Sequence, residues 1–509
     1  MVFVALRLPS IVEPPTLADE GTYADIGWAL DHGAVLYRDV WGHYTPGAYW
    51  LGAAINLVSS TVLAFHLVLA AVVTLTAFAV WRFCRRFASP TVAWMATMAF
   101  IVIASLPTFE GDVLYVETVG ALLATWAVVI VTRRARLGMT GALAAGALAA
   151  GAVLFKVTFV ADGVVIASLP AVVAIASGRR PGRTELRAAA AVVTGGLALL
   201  AVAATGLWLG GSMPGLLDVL TNQDERYLQF TTNGGAAVVA GGSGRFLLVL
   251  AVVRVAVVLL VGALLAWRLA RRRHLAAAVG VWWLTWDLAA VVLSGSGLAH
   301  YAQQMAPALC VCAALLVQQL WRRLRAGALL GAAATTLVAW TVCVAALVTP
   351  TAEASAVVRQ HIGDFASAIV SPRQVIHVVG RGWERVAGVI TPDAYSLSFG
   401  SQPALVARTV AVIDAHSVRG DRVFVWGRLP WAYTLSGRMP AGRYTSLNSS
   451  YALDPGAMPL LVRQLRAHPP AVLVQLEPLP PAVTSLLHAL GYRPLAAGGA
   501  VAWVAPGGR

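Results

Sequence analysis

Residues 14–46 read PPTLADEGTYADIGWALDHGAVLYRDVWGHYTP, the first polar stretch of a chain that is otherwise mostly apolar up to about residue 350. The stretch contains five acidic residues: Asp19, Glu20, Asp25, Asp31 and Asp39. The Asp19-Glu20 pair stands near its start, directly after an apolar segment. We therefore expect the chemistry of the protein to be built around Asp19.

The composition predicts a polytopic helical membrane protein. Hydrophobic residues make up 59% of the chain and charged residues 12%, whereas a soluble globular chain has about 25% charged residues. Apolar runs of roughly 20 residues recur along the sequence, as a bilayer core about 30 Å thick requires. Counting these runs predicts about 11 transmembrane helices.

The predicted spans lie at about residues 1–12 (the outer half of a helix), within 46–81 after a short interfacial helix, and at 90–106, 116–132, 139–157, 162–177, 188–209, 246–267, 275–293, 302–320 and 327–348. Residues 1–349 are thus interpreted as a transmembrane catalytic domain whose first outer loop is 13–46. From residue 350 to 509 the composition becomes that of a soluble domain.

The C-terminal region alternates strand and helix signals. Three short runs rich in β-branched and aromatic residues, each flanked by polar or turn-forming residues, predict three strands. They are DRVFVWG (421–427), AVLVQLEP (471–478) and AVAWVAP (500–506). PGAMPLLVRQLRAHPP (455–470) is bounded by prolines and is typical of a helix. We expect a small α/β domain.

The position of the arginines predicts the orientation. The net charge is +14, and the arginines cluster in alternate loops between the predicted spans, hence on one side of the membrane, which is predicted to be the cytoplasmic side. The acids lie mostly in the other loops, so these loops and the C-terminal domain are predicted to be extracytoplasmic. No nucleic-acid motif occurs, and a composition with Lys156 as its one lysine favours a bacterial plasma membrane.

Four local features resemble the GT-C membrane glycosyltransferases, in particular the dolichyl-phosphate-mannose protein mannosyltransferase (glycosyltransferase family 39) group and the bacterial aminoarabinose transferases. They are the Asp19-Glu20 pair, GAVLYRD (33–39), TPGAYW (45–50) and Glu117 in VLYVETVGALLATWA (113–127). Two weaker ones are HYAQQMAP (300–307) and DRVFVWGRLPWAYTLSGRMPAGRY (421–444).

The resemblance implies an inverting transfer of a sugar from a polyprenyl-monophosphate donor to an acceptor hydroxyl outside the membrane. Such a reaction needs a carboxylate that takes the acceptor's proton and cations that neutralise the leaving phosphate. The motif match makes Asp19 the candidate base, with Glu20 orienting it or binding the sugar or a cation. The alternative is that the pair only lies in solvent at the start of a helix, where acidic side chains interact favourably with the helix dipole.

A second set of residues is expected to bind substrate, either at the outer ends of spans or in the first loop: Glu117, Lys156, Arg245, Arg254, His300, Tyr301, Tyr37 and Arg38. Glu117 begins a span and is expected to face a cavity, since a lipid-facing carboxylate is costly. Lys156 either pairs with the donor phosphate or extends to the headgroups. Arg254 is expected to be buried with an anionic partner, phosphate or Asp287.

Other readings of the chain stay open. No ligand spacing supports a zinc site, and we predict no cofactor, although a divalent cation near Asp19 and Glu20 is an alternative. The acceptor is a glycan, lipid or protein. Competing functions are a transporter or flippase for lipid-linked saccharides, a non-catalytic assembly protein, and an oligosaccharide ligase or polymerase that uses a diphosphate donor.

Overall fold

The computed structural model describes residues 2–16, 19–133, 137–223, 244–294, 299–324, 372–445, 456–497 and 500–506. They belong to two compact units. The first unit comprises Met1–Arg7, Leu69–Ala203 and Thr231–Val370, and the second comprises Leu8–Val68, Ala204–Phe230 and Ser371–Arg509. The predicted domain boundary at residue 350 lies outside the described residues, so the division into 1–349 and 350–509 stays a prediction.

The described part of the chain up to residue 324 is helical. In chain order the helices are α1 (Val2–Ile11), α2 (Asp19–Asp31), α3 (Gly47–Asn56), α4 (Val62–Phe87), α5 (Pro90–Ile103), α6 (Val116–Thr132), α7 (Met139–Phe155), α8 (Val160–Ala176), α9 (Arg183–Leu209), α10 (Met213–Asp218), α11 (Gly244–Arg271), α12 (Leu275–Ser294) and α13 (Ala302–Leu324). Short 3-10 turns at Pro107–Phe109, Val157–Phe159 and Ala299–Tyr301 precede α6, α8 and α13.

The chain is a multi-pass membrane protein. By length and composition, four helical stretches of the described residues can cross a bilayer: Val62–Phe87, Val157–Ala176, Arg183–Leu209 and Ala302–Leu320. Further apolar helices of 10–17 residues are Pro90–Ile103, Val116–Thr132, Met139–Phe155 and Leu275–Val291. Helices thus occupy the predicted spans from 1–12 to 302–320, whereas 327–348 lies outside the described residues. The count of about 11 spans stays a prediction.

The helices of the first unit pack through small residues. A Cβ at Gly146 on α7 would collide with the carbonyl oxygen of Val192 on α9, and one at Gly195 on α9 would collide with that of Leu143. A Cβ at Gly120 on α6 would likewise collide with the ring of Phe159. Small residues let membrane helices approach closely, so these glycines fix how α7 packs on α9 and how α6 packs on the turn before α8.

The second unit ends in a mixed sheet of five strands in the order β2-β1-β3-β5-β4. The strands are β1 (Arg422–Trp426), β2 (Met439–Pro440), β3 (Val472–Gln475), β4 (Arg493–Ala497) and β5 (Ala500–Val504). β1 pairs in parallel with β2 and β3, and β5 runs antiparallel to β3 and β4. The three predicted strands are confirmed. The sequence did not reveal β2, which has two residues, or β4, whose residues are mostly exposed.

The same part of the chain contains further helices. They are α14 (Pro372–Val386), α15 (Pro392–Ser396), α16 (Gln402–His416), α17 (Ala432–Ser436), α18 (Ala457–Ala467) and α19 (Pro481–Ala489). α16 packs on β3, and α17 packs on α2. The central strands are buried because their residues are apolar on both faces, as in Val423, Phe424 and Leu473.

The close approach of α7 and α9 makes a first prediction. Gly146→Val should lower the midpoint of thermal unfolding, because overpacking a tight contact costs about 1–3 kcal/mol. Gly163→Val on α8 is the matched control, since a Cβ there meets no atom within 4 Å. Scanning fluorimetry of the purified protein measures both. Equal unfolding midpoints for the two variants would show that the packing of α7 on α9 does not depend on Gly146.

Candidate active site

Asp19 is the first residue of α2, where an acid interacts favourably with the helix dipole. Its Oδ2 accepts a hydrogen bond of 2.5 Å from the hydroxyl of Tyr44, and its Oδ1 accepts one of 3.2 Å from Arg428. The side chain of Asp19 is 17% exposed and that of Arg428 is 40% exposed. A carboxylate is therefore held between a phenol and a guanidinium while it keeps access to solvent.

The neighbouring Glu20 occupies a different environment. It is buried, and its Oε1 lies 3.1 Å from Nε2 of His66 on α4. The two adjacent carboxylates thus meet different partners, since consecutive helical residues point in different directions. The predicted role of Glu20 in orienting Asp19 or binding a ligand stays a prediction.

The position of Arg428 is fixed by the packing of α2 on α17. Oδ1 of Asp25 accepts hydrogen bonds of 2.8 Å from both the backbone N–H and the hydroxyl of Thr434. A Cβ at Gly21 would collide with Pro430 and Trp431, so only glycine allows this close approach. These contacts hold the segment that carries Arg428 beside the start of α2.

Asp25 is fully buried, and burial is the largest influence on its carboxyl group. Burial raises the pKa of Asp25 from 3.8 to about 7, although the hydrogen bonds from Thr434 act in the opposite direction. Its Oδ2 makes no hydrogen bond within the described part of the chain. The carboxyl group of Asp25 therefore binds a proton more readily in the folded protein than in the unfolded chain.

Four of the predicted substrate-binding residues come together in the first unit. Lys156, at the end of α7, donates a hydrogen bond to Oε1 of Glu117 at the start of α6. The Lys156 ammonium also lies 3.2 Å from the centre of the Tyr301 ring, a cation–π contact. Nε2 of His300 lies 3.7 Å from Glu117 Oε1, and Nδ1 lies 2.8 Å from Oε2 of Glu110.

This outer cluster, comprising Glu110, Glu117, Lys156, His300 and Tyr301, has one unused acceptor. Oε2 of Glu117 is buried and accepts no hydrogen bond from the described residues. Burial lowers the pKa of His300, but the charge of Glu117 and the hydrogen bond with Glu110 more than offset burial, so the pKa is raised above its ordinary 6.5. The protonated imidazole is thereby favoured next to the two carboxylates.

The other predicted binding residues lie elsewhere. The Tyr37 side chain is buried, and its hydroxyl donates a hydrogen bond to the backbone carbonyl of Tyr44. Arg38 is exposed and pairs with Asp39 at 2.8 Å. The side chain of Arg245 is outside the described part. The expectation that Arg254 is buried was wrong, because its side chain is exposed on α11.

Asp287 does not pair with an arginine within the described residues. It lies beside Asp162 and Gln304 in the first unit, and both of its carboxylate oxygens are buried. Asp162 accepts 2.7 Å and 3.1 Å hydrogen bonds from Trp283 and Gln304. These two buried acids form a site separate from Asp19.

The second unit also contains an apolar cleft of about 440 Å³. It is lined by parts of three segments, at 30–36, 50–57 and 206–212. Most of the lining is apolar, with Asp31 at the end of α2 among the exceptions. Among the described residues, no group of three or more His, Cys, Asp or Glu side chains is arranged to hold a metal ion.

No protein-family model matches the sequence, and a search among curated proteins finds no match. Solved structures do match. The crystal structure of ArnT from Cupriavidus metallidurans bound to undecaprenyl phosphate aligns over 99% of this chain and 96% of that chain, with 14% identity and a TM-score of 0.56. The apo state of the same protein aligns over 98% and 95%, with 13% identity and a TM-score of 0.53.

The chain has the GT-C fold. The resemblance that the first loop and Glu117 predicted is therefore confirmed at the level of the fold. Sequence reasoning missed Tyr44 and Arg428 as partners of Asp19, and His66 as the partner of Glu20. Arg428 lies in the weaker motif stretch 421–444 and Tyr44 in the polar stretch 14–46, but nothing in the local pattern of either indicated a contact with Asp19.

The environment of Asp25 makes a prediction about stability. Because its folded pKa of about 7 lies above the unfolded 3.8, the folded state binds more protons between these values, and the free energy of unfolding falls as pH rises through them. Asp25→Asn keeps the Oδ1 acceptor and removes the ionisation. Its thermal midpoint should fall less than that of the wild type between about pH 5 and about pH 8.

The control for this variant is Asp393→Asn, which changes an exposed acid of the same unit. Its midpoint should follow the wild-type pH dependence. If the thermal midpoints of the wild type and of Asp25→Asn changed equally with pH, the assignment of the pH dependence to Asp25 would be contradicted.

Proposed function

We propose that this protein is an integral membrane glycosyltransferase that moves a sugar from a polyprenyl-monophosphate donor to the hydroxyl of an extracytoplasmic acceptor, with inversion. The observation that carries the proposal is the partly exposed Asp19 carboxylate, held by Tyr44 and Arg428 in a chain with the GT-C fold. ArnT, which shares this fold, was crystallised with undecaprenyl phosphate, and this supports a polyprenyl phosphate as the carrier.

Asp19 is the base in this proposal. The acceptor oxygen bonds to the anomeric carbon, the bond from that carbon to the phosphate oxygen breaks, and the acceptor proton passes to the Asp19 carboxylate. Polyprenyl monophosphate leaves with the bonding electrons. Tyr44 and Arg428 are positioning residues that hold the carboxylate in one orientation, which reduces the entropy lost on reaching the transition state.

Cations are needed where the phosphate leaves. Arg428 uses one nitrogen for Asp19 and is 40% exposed, so its remaining N–H groups are available for a phosphate oxygen. The substrate-binding roles of Glu117, Lys156, His300 and Tyr301, which cluster in the first unit, stay predictions. The apolar cleft of the second unit fits an isoprenoid chain by its lining.

One observation favours a second candidate, a transporter or flippase for lipid-linked saccharides. Asp162 and Asp287 are buried side by side in helices of the first unit, and ionisable residues inside a membrane mark ion or proton pathways in many proteins. In the glycosyltransferase proposal this pair has no chemical role. Activity measurements on the purified protein separate the two candidates.

The base assignment predicts the behaviour of Asp19→Asn. In proteoliposomes with radiolabelled polyprenyl-monophosphate sugars and acceptor extract, the variant should lose about 10²-fold or more of the wild-type transfer, as expected when a general base is removed. Asp393→Asn should transfer sugar at the wild-type rate. If Asp19→Asn kept its activity, another carboxylate would be the base. If the wild type turned over no donor, the result would favour the transporter candidate.

The positioning role of Arg428 predicts a different signature. Arg428→Gln should lower kcat by about tenfold or more with a smaller change in KM, because the Asp19 carboxylate is then held less firmly in its reactive orientation. Arg428→Lys should restore part of the rate, since it returns a cation to the same place. A wild-type kcat in Arg428→Gln would show that Arg428 does not position Asp19.

A further inference from the structure

Four arginines line a pocket of about 380 Å³ at the C-terminal ends of α4 and α6. Arg82, Arg85 and Arg86 come from α4, and Arg133 follows the last residue of α6. Among the described residues that line the pocket, none is acidic. The positive-inside pattern of the sequence predicts that this inner arginine pocket faces the cytoplasm.

The arrangement concentrates positive charge without a counter-charge. Arg82, Arg85 and Arg86 are spaced i, i+3 and i+4, so they share one face of α4, and like charges at this spacing are unfavourable. Arg133 adds a fourth charge near enough to interact with Arg86. Within the described residues none of the four forms an ion pair, so an anion in the pocket would relieve the repulsion.

Aromatic rings position three of the guanidinium groups. Arg82 lies 5.8 Å from the centre of the Phe78 ring, Arg85 lies 6.0 Å from that of Trp81, and Arg86 lies 5.1 Å from that of Phe87. Such cation–π contacts use the face of a guanidinium and leave its N–H groups free at the edge. These groups match the geometry of phosphate oxygens.

Trp81 also lines the pocket. Its Nε1 is buried and has no hydrogen-bond partner among the described residues. A buried N–H without a partner costs free energy, so an acceptor oxygen that reached Nε1 from the pocket would be stabilised.

The neighbouring surface of α4 indicates a lipid. Leu75 and Phe78 precede Arg82 and Arg85 on the same helix face, with spacings of three and four residues, and both are about half exposed. A phosphate held by the arginines would have its acyl chains along this apolar face. Basic pockets between helices on the cytoplasmic side of membrane proteins bind anionic headgroups in this way.

We propose that the inner arginine pocket binds the phosphate headgroup of an anionic phospholipid from the inner leaflet. The site lies in the first unit and makes no use of Asp19 or the outer cluster, so it holds whether or not the protein transfers sugar. The bound headgroup offsets part of the charge of the four guanidinium groups and links α4 to α6.

Native mass spectrometry of the purified full-length protein tests this proposal with added phosphatidylglycerol or cardiolipin, and with phosphatidylcholine as the neutral lipid. Wild type should retain the anionic lipids and not phosphatidylcholine. The triple variant Arg85→Gln, Arg86→Gln, Arg133→Gln should bind them at least about tenfold more weakly. Trp81→Phe keeps the ring and removes the donor, and a smaller loss is expected from it.

The matched control removes the same charge from exposed arginines of another predicted cytoplasmic loop, as Arg180→Gln, Arg183→Gln, Arg187→Gln. It should bind anionic lipid as wild type does. Equal binding of anionic lipid by the two triple variants would overturn the proposal. The arginines would then serve only to orient the chain in the membrane. Inorganic phosphate or glycerol phosphate that binds as tightly as the lipid would overturn the lipid assignment. Size-exclusion profiles verify that every variant is folded, and Trp81→Phe provides the test if the triple variant is not.

Discussion

The hydrogen bonds from Thr434 to Asp25 are the interaction on which the candidate catalytic carboxylate depends. They join α2 to α17, although the two residues are 409 positions apart in the sequence. With the close packing of Gly21 on Trp431, they hold Arg428 next to Asp19. The first polar loop and the C-terminal segment therefore fold as parts of one unit, and the environment of Asp19 is assembled from both.

The acids of this chain differ in what compensates their charge. Asp19 has a phenol and a guanidinium and keeps partial exposure, which suits a group that must exchange a proton. Glu117 is buried and has a partly buried ammonium partner in Lys156, itself held against Tyr301. Asp25 has only neutral donors, and burial accordingly raises its pKa. Burying a carboxylate is costly unless it is paired, so the partner of each acid indicates the role that it can have.

Much of the helical architecture could be predicted from the sequence, because the bilayer sets a minimum length for an apolar run. Predicted spans such as 116–132 and 275–293 coincide closely with α6 and α12. Glu117, Lys156, His300 and Tyr301 were each predicted from motif and depth to bind substrate, and that role stays a prediction. The sequence did not indicate that they pair with one another. The contact of Arg428 with Asp19 could not be predicted, since no local pattern records a contact between residues 409 apart. Arg254 was placed wrongly because an apolar sequence around a charge does not tell which face of a helix meets other helices.

The most direct test of the account is the anomeric configuration of the transferred sugar. A single displacement, with Asp19 as base and polyprenyl phosphate as leaving group, requires the product anomer to be opposite to that of the donor. Nuclear magnetic resonance of the product made by purified protein from a donor of known configuration measures it. The account predicts inversion. Retention would contradict it, because two successive displacements need a carboxylate that forms a bond with the sugar, a role that Asp19 does not have here.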